Sequence, residues 1–147
     1  MGYATNADVE RRLGPANYVR LTDDRGTGTA DEAKVTEARL EAEQTVDSFL
    51  GRRYAVPIDV DLCPETASLL RGVVLDLVEF RLFARRPPVP ADVLRKRENA
   101  VEWLRRAAEG LVVLSNAAGL RENAAGGFTG LACGRGRLLT PPEMEDL

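Results

Sequence analysis

The sequence predicts an all-α protein, a small bundle of about four to five helices followed by an extended C-terminal arm, and three observations carry that expectation. Aromatic residues make up only 5% of the 147 residues, and the period-two alternation of β-branched and aromatic side chains that marks strands is almost absent. Apolar residues instead recur three or four positions apart through several stretches, which places them on single helical faces. Between those stretches stand Gly14-Pro15, Gly51, Pro57, Pro64 and Pro87-Pro88, the residues that interrupt or start helices.

The first helix follows from Thr5-Asn6-Ala7-Asp8, a hydroxyl or amide cap before an acidic first turn, and it should run to Leu13. Gly14-Pro15 breaks the chain, and Ala16 to Leu21 reads as a second short helix with Tyr18, Val19 and Leu21 inward. The loop from Asp23 to Asp31 fits a calcium loop in part, with Gly28 at the sixth position and Asp31 at the ninth. It fails at Arg25, Thr27 and Lys34, where oxygen ligands belong. The loop therefore reads as a glycine turn followed by a capping box, Thr29 with Glu32, that launches a long helix.

That helix runs to Leu50 and turns Val35, Ala38, Ala42, Val46 and Phe49 to one side. Gly51 should end it in the left-handed conformation, and Arg52-Arg53-Tyr54 should leave its end as an ordered basic turn before Pro57. Ile58 to Cys63 reads as an extended linker, and Pro64 suits a first helical position. From Pro64 to Arg86 the chain is apolar around nearly its whole circumference. A helix of that kind is buried on all sides, either by the rest of its own chain or by a neighbouring subunit.

Pro87-Pro88-Val89-Pro90 ends this segment, and the next helix begins near Ala91. Its expected inward stripe is Val93, Leu94, Arg97, Val101, Leu104 and Ala108, with Trp103 off the centre of the stripe. After Gly110 a brief apolar run, Leu111 to Leu114, gives way to an alanine- and glycine-rich stretch that buries too little to fold alone. Residues 1–114 form the expected helical domain, and residues 115–147 the arm.

Net charge is −3 with a pI near 5.1, which argues against a dedicated nucleic-acid binder and against binding to membrane surfaces. The balance is uneven. Arg81, Arg85, Arg86, Arg95, Lys96 and Arg97 face only Asp92 between residues 81 and 97. A small helical DNA-binding protein, such as a terminase small subunit or a regulator, is the alternative this basic run raises. Such a protein needs a recognition helix, whereas Ala91 to Glu109 sets its bases beside acids. With no histidine in the chain, Ser-His and Cys-His catalysis and His-containing metal motifs are excluded, and neither an enzyme nor a bound cofactor is expected. Cys63 and Cys133 are too few for a disulfide framework. With no signal peptide or long uncharged apolar run, synthesis in a reducing cytosol is expected.

The order of these elements resembles a known family. Tyr3-Ala4-Thr5 is followed by Asp8 and Val9, then Arg12-Leu13-Gly14, Leu21-Thr22-Asp23, and a Gly26-Thr27-Gly28 loop before Asp31-Glu32. The run Val46-Asp47-Ser48-Phe49-Leu50-Gly51-Arg52-Arg53-Tyr54 and then Pro57 complete the pattern. The chain is similar in these respects, over roughly residues 2 to 110, to the Mu-like phage head-tail connector family, whose members are adaptor or head-completion proteins. Arg25, where relatives tend to be acidic, and the tail after Ser115 depart from the family.

The resemblance implies a non-enzymatic virion subunit, made in the bacterial host cytoplasm and placed at the head-tail interface. It implies a homo-oligomeric ring, expected to be a dodecamer, beneath the portal protein. That ring would extend the DNA channel, pass genomic DNA without sequence specificity, and dock the stopper or tail-completion protein, with no membrane partner. Arg52, Arg53, Tyr54, Phe80, Phe83 and Trp103 are the residues expected at subunit or portal contacts.

Overall fold

The computed structural model describes residues 2–61 and 64–114, which form five helices: α1 (Asn6–Leu13), α2 (Pro15–Thr22), α3 (Glu32–Leu50), α4 (Pro64–Ala84) and α5 (Ala91–Glu109). The all-α class holds, with no strand among the described residues. Residues 115–147, the expected arm, and both cysteines lie outside them. Among the described residues no helix is long and apolar enough to cross a membrane.

Local chemistry sets most helix ends. Thr5 caps α1 through a reciprocal pair: its hydroxyl accepts from the Asp8 amide at 3.2 Å, and the Asp8 carboxylate accepts from the Thr5 amide at 2.9 Å. Gly14, at φ 78°, turns the chain directly into α2, whose first residue is Pro15. Two expected boundaries are corrected. The cap of α3 is Asp31, whose carboxylate accepts from the Ala33 amide at 3.1 Å. Thr29 stands too far upstream and meets the Thr27 hydroxyl instead, while Glu32 accepts from Asn6 and from Tyr18. Gly51 is right-handed (φ −60°, ψ −12°), so helical turning continues until the Tyr54 amide donates to the Leu50 carbonyl at 2.9 Å.

The centre of the bundle is α4, which packs against each of the other four helices. Leu70, Val74, Val78 and Leu82 are fully buried along it, so the chain itself covers nearly the whole apolar circumference. Fully burying side chains of this size contributes about 1.5–3 kcal/mol each before entropy is counted. Glu79, buried on α4, lies between Arg12 of α1 at 3.5 Å and Lys96 of α5 at 3.3 Å, which keeps the charge paired. Arg12 also pairs with Asp76, whose carboxyl burial pushes up. The inward stripe of α5 is rotated from the expected one. Val93, Ala100, Leu104, Ala107 and Ala108 are buried, whereas Leu94 and Arg97 are exposed. Alanines at 100 and 107 let α5 lie close against both α3 and α4.

The N-terminal segment is tied to α3 by a polar network. The Tyr3 hydroxyl donates to Asp47 and accepts from the Ile58 amide at 2.9 Å, so one side chain joins the N-terminus, α3 and the linker before α4. Burial, then the bond to Asp47, pushes the Tyr3 hydroxyl well above its usual range. Nearby, Glu43 accepts from the Ala4 amide at 3.2 Å and from Arg39 at 3.0 Å.

The loop between α2 and α3 is organised by two aspartates. Asp23 accepts from the backbone amides of Arg25, Thr27 and Gly28 at 3.1, 3.1 and 2.7 Å. Asp24 pairs with Lys34, with Arg85 at 2.6 Å and with Arg86 at 3.5 Å. Their oxygens are thus committed to amides and cations, and the arginines approach where a calcium loop would need further oxygens. The Thr27 and Gly28 amides hold the Asp23 carboxyl below the usual carboxylate range.

Tyr3→Phe leaves the buried Ile58 amide without its acceptor and should lower the unfolding free energy by about 1–3 kcal/mol. Urea denaturation should show this as a lower midpoint at unchanged slope, and an unchanged midpoint would contradict it. Asp23→Ala should also destabilise the protein, in a pH-dependent way. Because the folded-state pKa is depressed, the difference from the parent is full above the unfolded value of about 3.9 and fades as pH falls through the folded value. Denaturation midpoints measured from pH 7 down to pH 2 would check the sign.

Candidate interaction surface

The turn after α3 and the end of α5 meet. Arg52 is exposed, but Arg53 and Tyr54 turn back onto the protein. The Arg53 guanidinium lies across Gly110, so near that a β-carbon there would fall 1.5 Å from Nη1. Gly110 is also the left-handed residue that ends α5, at φ 83°. The left-handed conformation is what favours glycine, at a cost of roughly 1–2 kcal/mol to other residues, and a side chain there would also displace the Arg53 guanidinium. The cation sits at the negative end of α5. Its Nε is buried and has no hydrogen-bond partner among the described residues.

Tyr54, one of the expected contact residues, turns inward. Its ring is buried in the core, and its hydroxyl accepts from the Leu114 amide at 3.2 Å. The side chain anchors the segment that leaves α5, and it offers no free surface. Phe83 is likewise buried, with the Arg20 guanidinium 5.8 Å from its ring centroid. Phe80 is half-buried beneath Arg97, 4.6 Å from the centroid, a cation–π arrangement. Trp103 is half-buried and packs on the core. The six expected residues thus serve separate neighbours; only Arg53 and Tyr54 share one, the end of α5.

The basic run between residues 81 and 97 does not form an open cationic surface. Arg81 pairs with Glu41 at 2.5 Å. Arg85 donates to the Leu21 carbonyl at 3.0 Å as well as to Asp24, and Arg86 donates to the Asp23 carbonyl at 2.8 Å. Lys96 joins Glu79, and Arg97 covers Phe80. Of the six bases, only Arg95 makes no ion pair or ring contact among the described residues. The other five tie α4 and α5 to each other and to the rest of the bundle.

Sequence reasoning missed the exposed apolar side chains. Leu40, Leu69 and Leu94 stand out from three different helices, and Leu111 and Val113 are 73% and 63% exposed beyond α5. Leu40 had a visible signal, since it falls among Glu37, Glu41 and Gln44 on the charged side of its helix. Leu94 had none, because it lay on the expected stripe.

Tyr54→Phe separates a core role from a contact role. Loss of the acceptor for the buried Leu114 amide should lower the stability of the isolated protein by about 1–3 kcal/mol. A thermal or urea midpoint equal to the parent's would contradict the core assignment.

No curated protein matches the chain. Residues 3–130 match the family model described as Bacteriophage Mu, Gp36. The match takes in the Tyr3 anchor, all five helices and the Arg53–Gly110 contact, and the chain belongs to the Bacteriophage Mu Gp36 family.

Proposed function

We propose that this chain is a structural head-to-tail connector, an adaptor subunit of a Mu-like phage particle that forms a ring below the portal and docks the stopper or tail. The observation that carries this reading is membership of a bacteriophage Mu family over residues 3–130. The chemistry of the surface supports it. Exposed leucines on α3, α4 and α5 offer apolar anchors on several sides of one small body. An acidic net charge of −3 favours a conduit that lets a phosphate backbone pass without gripping it.

Within this reading the protein is non-catalytic and resides in the virion at the head-tail interface. Exposed Arg52, the Phe80–Arg97 pair and the outer edge of Trp103 are the proposed subunit or portal contacts. Arg53 and Tyr54 act indirectly by fixing the turn that carries Arg52. A DNA-binding role draws less support, because five of the six bases it would use are engaged within the bundle.

The test mixes the purified full-length protein with portal rings, and with procapsids that lack it. The reading predicts co-sedimentation with both and a ring of added density beneath the portal in electron micrographs. A protein that stays monomeric and joins neither would contradict it, and a salt-sensitive shift of duplex DNA would favour the alternative.

A further inference from the structure

Two long helical faces are left open by the bundle, and their charges are unlike. The exposed residues of α3 include Glu32, Glu37 and Glu41 and no base. At the middle of that face Leu40 is 47% exposed, with Glu37 one turn before it and Gln44 one turn after. On α5, Leu94 is 40% exposed, beside Arg95 and one turn from both Arg97 and Glu98. Four arginines are exposed on α5 (95, 97, 105 and 106) against three exposed acids. Neither Glu37 nor Arg95 has an ion-pair partner among the described residues.

Each lone leucine would be unremarked on a soluble protein. The pairing of leucine with opposite charge on two faces is what identifies an occupant. Two α3 faces brought together would set glutamate against glutamate, which disfavours a two-fold contact through α3. An α3 face against an α5 face sets glutamate against arginine, with a leucine on each side to exclude water. Every copy carries both faces, so such a contact is heterologous. It continues from copy to copy and closes as a ring where the rotation allows.

We propose that neighbouring copies of this chain meet through α3 of one and α5 of the next, with Leu40 and Leu94 as apolar anchors and Glu37 paired with Arg95. This assignment rests on the ring-forming reading above and adds the surfaces that mate. Because α3 and α5 both pack inward on α4 and on each other, their outer faces are free at the same time.

Charge reversal tests it in the full-length protein, with assembly on portal rings as the readout. Glu37→Arg and Arg95→Glu should each weaken assembly by about tenfold or more, as close interfacial charge pairs do. The two single variants mixed in equal amounts should recover assembly to near the parent level. In an alternating ring every α3–α5 contact between them again joins opposite charges. The double variant in one chain should recover for the same reason. Far-UV circular dichroism and unfolding midpoints should match the parent, since both positions are exposed.

Single variants that assemble as the parent does would overturn the face assignment and leave the ring reading standing. Impaired singles that neither mixing nor the double variant rescues would overturn the assignment as well. A parent protein that fails to assemble on portals would remove the ring reading and this assignment with it.

Discussion

The burial of α4 by its own chain is the constraint on which the rest of the structure depends. A helix apolar on nearly every side must be covered, and here the other four helices do it. The charges α4 carries are placed accordingly. Glu79 is buried only because Arg12 and Lys96 reach it from α1 and α5, and Arg81 turns outward to Glu41 on α3. Removing both partners of Glu79 would leave a buried charge uncompensated, the costly case for an interior ion pair, whereas removing one leaves the other to offset it. With α4 enclosed, the large apolar side chains left exposed are Leu69 on α4 itself, Leu40 and Leu94 on the outer sides of α3 and α5, and Leu111 and Val113 after Gly110.

Arginine does much of the fastening. Arg85 and Arg86 reach from the end of α4 to the loop between α2 and α3, and Arg53 reaches from the end of α3 to the end of α5. Each joins segments remote in sequence, with a planar donor group suited to carbonyls and carboxylates. Tyr3 and Tyr54 fasten in the same way with hydroxyls, at the linker before α4 and at the segment leaving α5. A chain poor in aromatics is thereby closed by a few long polar side chains set over an aliphatic core.

Features governed by neighbours in sequence were legible. Thr5 with Asp8, Gly14-Pro15, the stripe of α3 and the apolar circumference of α4 are local patterns, and they determined the helices and the all-α class. Boundaries blurred where more than one residue suits the same position. Thr29 and Asp31 are both good caps, and the bonding within the loop selects Asp31. The candidate site was less legible because its residues answer to distant partners. Whether Tyr54 turns inward is decided by the amide of Leu114, 60 positions away, and whether Arg85 is free is decided by Asp24, 61 positions before it. Spacing along one helix carries no record of either. Nor does it tell whether Leu94 or Ala100 faces the core, since that depends on how closely α5 lies against α3 and α4.

The claim that α4 needs no second subunit to cover it can be measured directly by thermal unfolding across a dilution series from micromolar to nanomolar protein. A chain that encloses its own central helix should unfold cooperatively at a midpoint independent of concentration, with its helicity intact at the lowest dilution. A midpoint that falls steadily on dilution, or helix lost as the protein is diluted, would show that folding is linked to association and would contradict the account.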